Sequence, residues 1–267
     1  MRLGPIQLRY YSLMFAFGFI FGFWMMRRVY KRYARPIEDL DSLLVYLVLG
    51  TMIGARLGHV IFYEPGKYFS HPIEILKIWE GGLASHGGVI GVLTAVWLYC
   101  RKHPDQPFLW LVDKLTVPVA LVSSMIRLGN FFNSEILGRP TDVAWAIVFE
   151  RAPGRLGKTP LHPAMLYESA AYLLTFFVML GLSKKERGRG FMTGAFLVLI
   201  FGARFVIEFF KLRQVEGAEK WILSQGQFLS IPLLLLGVYL MLRAHKVGTV
   251  PLPDPVRPDA AGGEGKP

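Results

Sequence analysis

Arg127, Asn130, Asn133, Glu135 and Arg139 close an apolar run with the spacing Arg127-x-Gly129-Asn130-Phe131-x-Asn133-x-Glu135-x-x-Gly138-Arg139. A guanidinium kept at membrane depth needs a polar partner, because a cation at the bilayer centre costs at least about 2.5–3.5 kcal/mol on insertion scales. At helical spacing Arg127, Asn130 and Ser134 share a face and Glu135 lies slightly off it, which makes a surface able to hold a polar headgroup. Arg204 and Glu208 stand four residues apart in a second apolar run, where the pair partly neutralises itself and still needs polar surroundings. His86 follows Gly81 and Gly82 and precedes Gly87 and Gly88. Its imidazole reads either as a satisfied interhelical hydrogen bond or as a proton acceptor to which glycines allow close approach. Arg56, inside another run, reads equally as an arginine snorkelling or pairing between helices and as a contact to lipid phosphate.

The elements that must position these residues are membrane spans. The chain has 267 residues, of which 53% are hydrophobic and 20 are phenylalanine. A soluble domain of that size could not bury so many long apolar runs. The net charge of +11 gathers in short clusters beside those runs, as orientation signals and anionic-lipid contacts do, which argues against nucleic acid as a partner. The single Cys100 has no partner for an intrachain disulfide and no His or Cys neighbour at metal-ligand spacing.

In chain order, Tyr11 to Met26 forms span one, and the following Arg27, Arg28, Lys31, Arg32 and Arg35 anchor it on the cytoplasmic side with the N-terminus outside. Span two, about Leu43 to Tyr63, carries Gly50, Gly54 and Gly58, a small-residue stripe for close helix packing. Pro72 to Trp79 is amphipathic and suits the interface. Span three runs from Gly81 to Cys100 and span four from Leu111 to Phe132. A polar, turn-rich segment of about 30 residues, 133–162, is too small for its own core and suits an external cap, with a short strand or hairpin between Asp142 and Glu150. Span five opens at His162-Pro163, with Tyr167 and Glu168 at interfacial depth. Span six is Phe191 to Phe210 and span seven Gly226 to Leu242. The membrane domain closes at residue 246, and the tail 247–267, rich in Pro, Gly, Asp and Ala, reads as disordered and dispensable. The expected fold is therefore an all-α membrane protein of about seven transmembrane helices with a small cap between spans four and five.

These segments, with His86-Gly87-Gly88, His162-Pro163-x-x-Leu166-Tyr167-Glu168 and Arg204-x-x-x-Glu208-Phe209-Phe210, resemble those of the prolipoprotein diacylglyceryl transferase family over nearly the whole chain from Tyr11. The resemblance implies a seven-helix enzyme of the bacterial inner membrane, with its C-terminus cytoplasmic. Such an enzyme moves diacylglyceryl from phosphatidylglycerol to the lipobox cysteine thiol of a preprolipoprotein signal peptide and releases glycerol phosphate. By the same resemblance Arg127 and Arg204 hold the phosphate, Asn130 and Glu135 orient the glycerol or brace Arg127, Glu208 braces Arg204, and His86 accepts the thiol proton. Tyr11, Arg56, Gly87, Asn133, Arg139 and Tyr167 join the substrate-binding set. The site is expected between spans three, four and six, open to the outer leaflet, with lipids entering sideways.

Two positions depart from the family pattern. Ile126 replaces a glycine before the motif arginine, and Ile200 stands where a tyrosine is usual one turn before Arg204. The sequence carries no metal or nucleotide fingerprint, in keeping with a displacement that uses no cofactor. A transporter and a non-catalytic lipid-binding paralogue are the competing classes. The first would show paired broken helices in internal repeats, and none is visible. The second would keep the headgroup arginines without the chemistry.

Overall fold

The computed structural model describes residues 2–3, 6–7, 10–212 and 223–254. After a two-rung antiparallel pair, Arg2–Leu3 (β1) with Ile6–Gln7 (β2), the regular elements among the described residues are helical. The helices are α1 (Tyr10–Arg32), α2 (Ile37–Phe62), α3 (Pro65–Ser70), α4 (Ser85–Lys102), α5 (Phe108–Asn133), α6 (Ala164–Leu182), α7 (Phe191–Ile207) and α8 (Gln225–Val247). Five of them, α2, α5, α6, α7 with its terminal turn, and α8, are long and apolar enough to cross a membrane. The helices α1 and α4 occupy the stretches read as spans one and three. The expected third span starts later than Gly81, because Gly81 and Gly82 take left-handed φ values of 94° and 71° and α4 begins only at Ser85.

The chain divides into two compact units. One comprises Arg27–Val112 and Pro251–Pro267. Here α2 and α4 meet along the glycine stripe read from the sequence. A Cβ on Gly54 would lie 2.6 Å from the Cα of Gly91, and one on Gly58 would lie 2.7 Å from the Cα of Gly87. Small residues let two backbones touch, which in lipid replaces the missing hydrophobic drive. Past α2, Phe69 of α3 and Ile73, Leu76 and Trp79 of the short turns Pro72–Leu76 and Ile78–Glu80 are exposed, as in an interfacial segment. At the opposite end of α4 a buried polar network closes the unit. Tyr30 donates to Gln106 Oε1 at 2.7 Å, Gln106 donates to Asp39 Oδ2 at 2.9 Å, and Arg35 pairs with Asp105 at 2.8 Å.

The second unit comprises Met1–Met26 and Asp113–Val250. Gly18 of α1 faces Val122 of α5, and Gly194 of α7 faces the backbone of Gly237 on α8. Val117, Met179, Met192 and Ala195 form an apolar core. The buried carboxylate of Asp113 accepts hydrogen bonds from the Gly190 and Thr193 amides at 2.7 and 2.8 Å, satisfying the open donors that begin α7. Ser224 and Gln227 close a reciprocal capping box at the start of α8.

In the connection 134–163 the expected strand or hairpin is reduced to isolated bridges. Leu161 pairs with both Pro140 and Ile147, over a small cluster of Phe149, Ala152, Leu161 and Met165. The tail read as disordered is described as far as Asp254. Pro253 O accepts from Arg35 Nη2 at 2.6 Å, and Val250 O accepts from Arg189 at 3.5 Å. The remainder of that reading lies outside the described residues.

Candidate active site

The helix α5 ends at Asn133, and the chain then turns sharply. Ser134 and Ile136 both adopt left-handed conformations, with φ of 56° and 58°, a region a β-branched residue rarely occupies. Ser134 therefore does not extend the helical face as its spacing suggested. The turn folds Glu135 back instead. Its amide donates to Asn130 O at 3.0 Å, and its carboxylate accepts from Asn130 Nδ2 at 2.8 Å and from Asn133 Nδ2 at 3.1 Å. Asn130 Oδ1 in turn accepts from Arg127 Nη1 at 3.3 Å, so Arg127, Asn130, Asn133 and Glu135 form one continuous chain.

On its other side Arg127 meets Glu168 of α6. Arg127 Nε lies 3.1 Å from Glu168 Oε2, and the Glu168 side chain is completely shielded from solvent. Glu168 Oε1 accepts from Lys211 Nζ at 2.7 Å and from Tyr172 OH at 3.3 Å. Lys211 Nζ also lies 3.3 Å from Glu208 Oε2. Arg204 is within electrostatic reach of Glu168 and Tyr172. Glu168 thus pairs with Arg127 and Lys211 and Glu208 with Lys211, and the distal nitrogens of Arg127 are not spent on Glu168.

The sequence missed Lys211. A lysine directly after an apolar span reads as an interfacial anchor, and only its three-residue offset from Glu208 hinted at a buried pair. The expected brace also differs, because Glu208 pairs with Lys211, and among the described residues no ion pair joins it to Arg204. Glu208 caps α7 in the right-handed helical conformation with its amide still bonded to Arg204 O, so the backbone register allows the four-residue pair, and the carboxylate turns to Lys211 instead.

Arg139 braces this turn from outside. Its amide donates to Phe210 O at 2.9 Å and its Nε to Lys211 O at 3.0 Å, while Leu212 donates to Leu137 O at 3.1 Å. The Nε edge of Arg139 is thus spent on backbone, while the residue itself is exposed. Gly138 admits no side chain, because the His162 carbonyl occupies the space of its Cβ. Tyr167, expected among the substrate contacts, has its hydroxyl taken by two neighbours. Trp145 Nε1 donates to it at 2.7 Å and His162 Nδ1 lies 3.1 Å away.

His86 stands exposed in the first turn of α4, in the other unit, with the rings of Phe62 and Tyr63 at centroid distances of 5.3 and 5.9 Å. In that unit Gly87 is buried against Gly54 and Gly58, where it serves helix packing. Arg56 is 3% exposed, and its donors go to the carbonyls of Ile75 (2.9 Å), Gly81 (2.6 Å), Gly82 (3.2 Å), Glu74 (2.5 Å) and Lys77 (3.3 Å), with its guanidinium over the Tyr68 ring. A guanidinium saturated by backbone has no donor left for a lipid phosphate. Tyr11 lies in the first turn of α1, and its side chain is outside the described residues. Ile200 is buried at 6% exposure and brings no hydroxyl to the cluster.

Helices long and apolar enough to cross a membrane, carrying a shielded cluster of arginine, lysine and glutamate, define the chain as a helical membrane protein. The family profile described as prolipoprotein diacylglyceryl transferase matches residues 1–243. The chain is 51% identical over 247 residues to the phosphatidylglycerol–prolipoprotein diacylglyceryl transferase of Tolumonas auensis, covering 92% of this chain and 94% of the relative. It is 48% identical to that of Chloroherpeton thalassium, covering 91% of each, and 42% identical to that of Porphyromonas gingivalis, covering 89% of each. The chain belongs to the prolipoprotein diacylglyceryl transferase family.

Proposed function

We propose that this chain transfers the diacylglyceryl group of phosphatidylglycerol to the lipobox cysteine thiol of a preprolipoprotein, with membrane lipid as both substrate and solvent. The observation that carries this reading is the Arg127–Glu168–Lys211 arrangement, in which Glu168 takes only the Nε edge of Arg127. The planar outer edge of the guanidinium then suits bidentate contact with a phosphodiester. Arg204 supplies the second cation.

In the reaction the sulfur forms a bond to the glyceryl carbon and the carbon–oxygen bond to phosphate breaks. The electron pair leaves with glycerol phosphate, which gains a negative charge as it departs. Cations fixed where that charge develops lower the barrier more than they stabilise the starting lipid. Asn130 and Glu135 orient the glycerol and fix Arg127. His86 accepts the thiol proton, since the thiolate is the nucleophile and a cysteine is mostly protonated at neutral pH.

Seven spans, with α1 and α4 joining the five most apolar helices, hold the N-terminus outside and the C-terminus in the cytoplasm of a bacterial inner membrane. Segment 134–163 caps the site at the outer face. The testing experiment incubates labelled phosphatidylglycerol with a lipobox peptide and the purified chain and looks for the thioether adduct. A folded protein that binds the lipid and yields no adduct contradicts the reading.

A further inference from the structure

The expected Arg204–Glu208 pair does not form although the two are four residues apart, and the residue that holds Glu208 instead is Lys211. Lys211 is 6% exposed. Its backbone is fixed by the 137–139 segment through the Arg139 and Leu212 contacts, and its ammonium reaches Glu168 at 2.7 Å and Glu208 at 3.3 Å. The Glu208 carboxylate has little freedom to turn elsewhere, because it packs against Gly226 at the start of α8, where a Cβ would lie 2.5 Å from it. Buried carboxylates demand a counter-charge, and the cost of leaving one unpaired is several kcal/mol.

We propose that Lys211 is a positioning residue that supplies counter-charge to Glu168 and Glu208 and so keeps the outer nitrogens of Arg127 and Arg204 off those carboxylates and open to a phosphodiester. Without it the nearest remaining cations are those two arginines, and each is drawn onto a carboxylate. Arg204 closes the four-residue pair with Glu208, and Arg127 turns more of its edge to Glu168. Lys211 itself touches no substrate. This inference rests on the reading of Arg127 and Arg204 as the phosphate holders.

The test uses the purified full chain in detergent micelles, with labelled phosphatidylglycerol and a lipobox peptide. Retention of the lipid and rate of transfer are read separately for wild type, Lys211→Met, Lys211→Arg, Glu208→Gln and the Lys211→Met/Glu208→Gln double variant. Lys211→Met is expected to weaken retention and raise KM by about tenfold or more, with a smaller fall in kcat, and Lys211→Arg to stay within about threefold of wild type. In the Glu208→Gln background the Lys211→Met change should cost several-fold less, because no carboxylate then waits for Arg204. A residue that only fills space would show no such rescue.

Retention by Lys211→Met within about twofold of wild type, or a double variant no better than Lys211→Met, overturns the proposal. If Lys211→Met loses its helical circular dichroism, Lys211→Gln replaces it in the same cycle. A wild type that retains the lipid but transfers nothing refutes the activity while the retention cycle still decides the role of Lys211. A wild type that retains no phosphatidylglycerol refutes both.

Discussion

Arg127 Nε lies 3.1 Å from Oε2 of Glu168, a carboxylate with no exposed surface. The two residues come from different helices, so this contact joins the Ser124–Ser169 hydrogen bonds in tying α5 to α6 and sets the direction in which the rest of the guanidinium points. Glu168→Gln leaves Arg127 and Lys211 without their shared counter-charge, and breaking a buried pair costs about 3–5 kcal/mol. Thermal unfolding of the variant should be lowered well beyond that of an exposed control such as Glu186→Gln, and phosphatidylglycerol binding should weaken with it.

Arg56 answers to stability and not to lipid. Arg56→Ala strips the donor from the carbonyls of Glu74, Ile75, Lys77, Gly81 and Gly82. An acceptor left unsatisfied costs about 1–3 kcal/mol where it is fully buried, and less at these half-buried carbonyls. The melting temperature should fall, and limited proteolysis should open the 72–82 segment first. Loss of lipid affinity in a variant with unchanged proteolysis would restore the headgroup role.

The α2–α4 contact has no room for side chains. Gly54→Leu must push apart backbones that approach within van der Waals distance. Overpacking of this kind costs about 1–3 kcal/mol or more. Serine at the same position should be less harmful than leucine in a thermal shift assay, and equal melting temperatures for wild type and Gly54→Leu would refute the packing account.

Much of this was legible in the sequence, and the exceptions have physical causes. The glycine stripe at 50, 54 and 58 declared a close helix contact because only backbone approach uses that spacing. The Arg127 motif declared a polar face because arginine in an apolar run cannot be idle. Two things escaped because they depend on how helices end. Glu135 reaches Asn130 through left-handed residues at Ser134 and Ile136, which no periodicity announces. Lys211 reaches Glu168 only because α7 stops at Ile207 and tightens. Arg56 was ambiguous for a different reason. A buried arginine looks the same in sequence whether phosphate or carbonyls satisfy it, and its acceptors here are backbone carbonyls, which no side-chain pattern announces.

His86 carries the proton transfer in the proposed mechanism. His86→Gln keeps a polar side chain of similar size without the basic imidazole. Loss of a general base typically costs about 10²–10⁴-fold in rate. Lipid binding should be spared while transfer slows, and raising the pH should recover part of the rate as the peptide thiol ionises by itself. Undiminished transfer at neutral pH would remove His86 from the base role.

The most direct test is transfer of labelled diacylglyceryl from phosphatidylglycerol to a lipobox peptide by wild type beside Arg127→Ala. Removing a group that stabilises developing negative charge typically costs about 10²–10³-fold in rate. Wild type should form the thioether adduct, and Arg127→Ala, folded by circular dichroism, should lose both lipid binding and at least that much of the rate. Equal transfer by the two proteins would contradict the placement of the phosphate on Arg127.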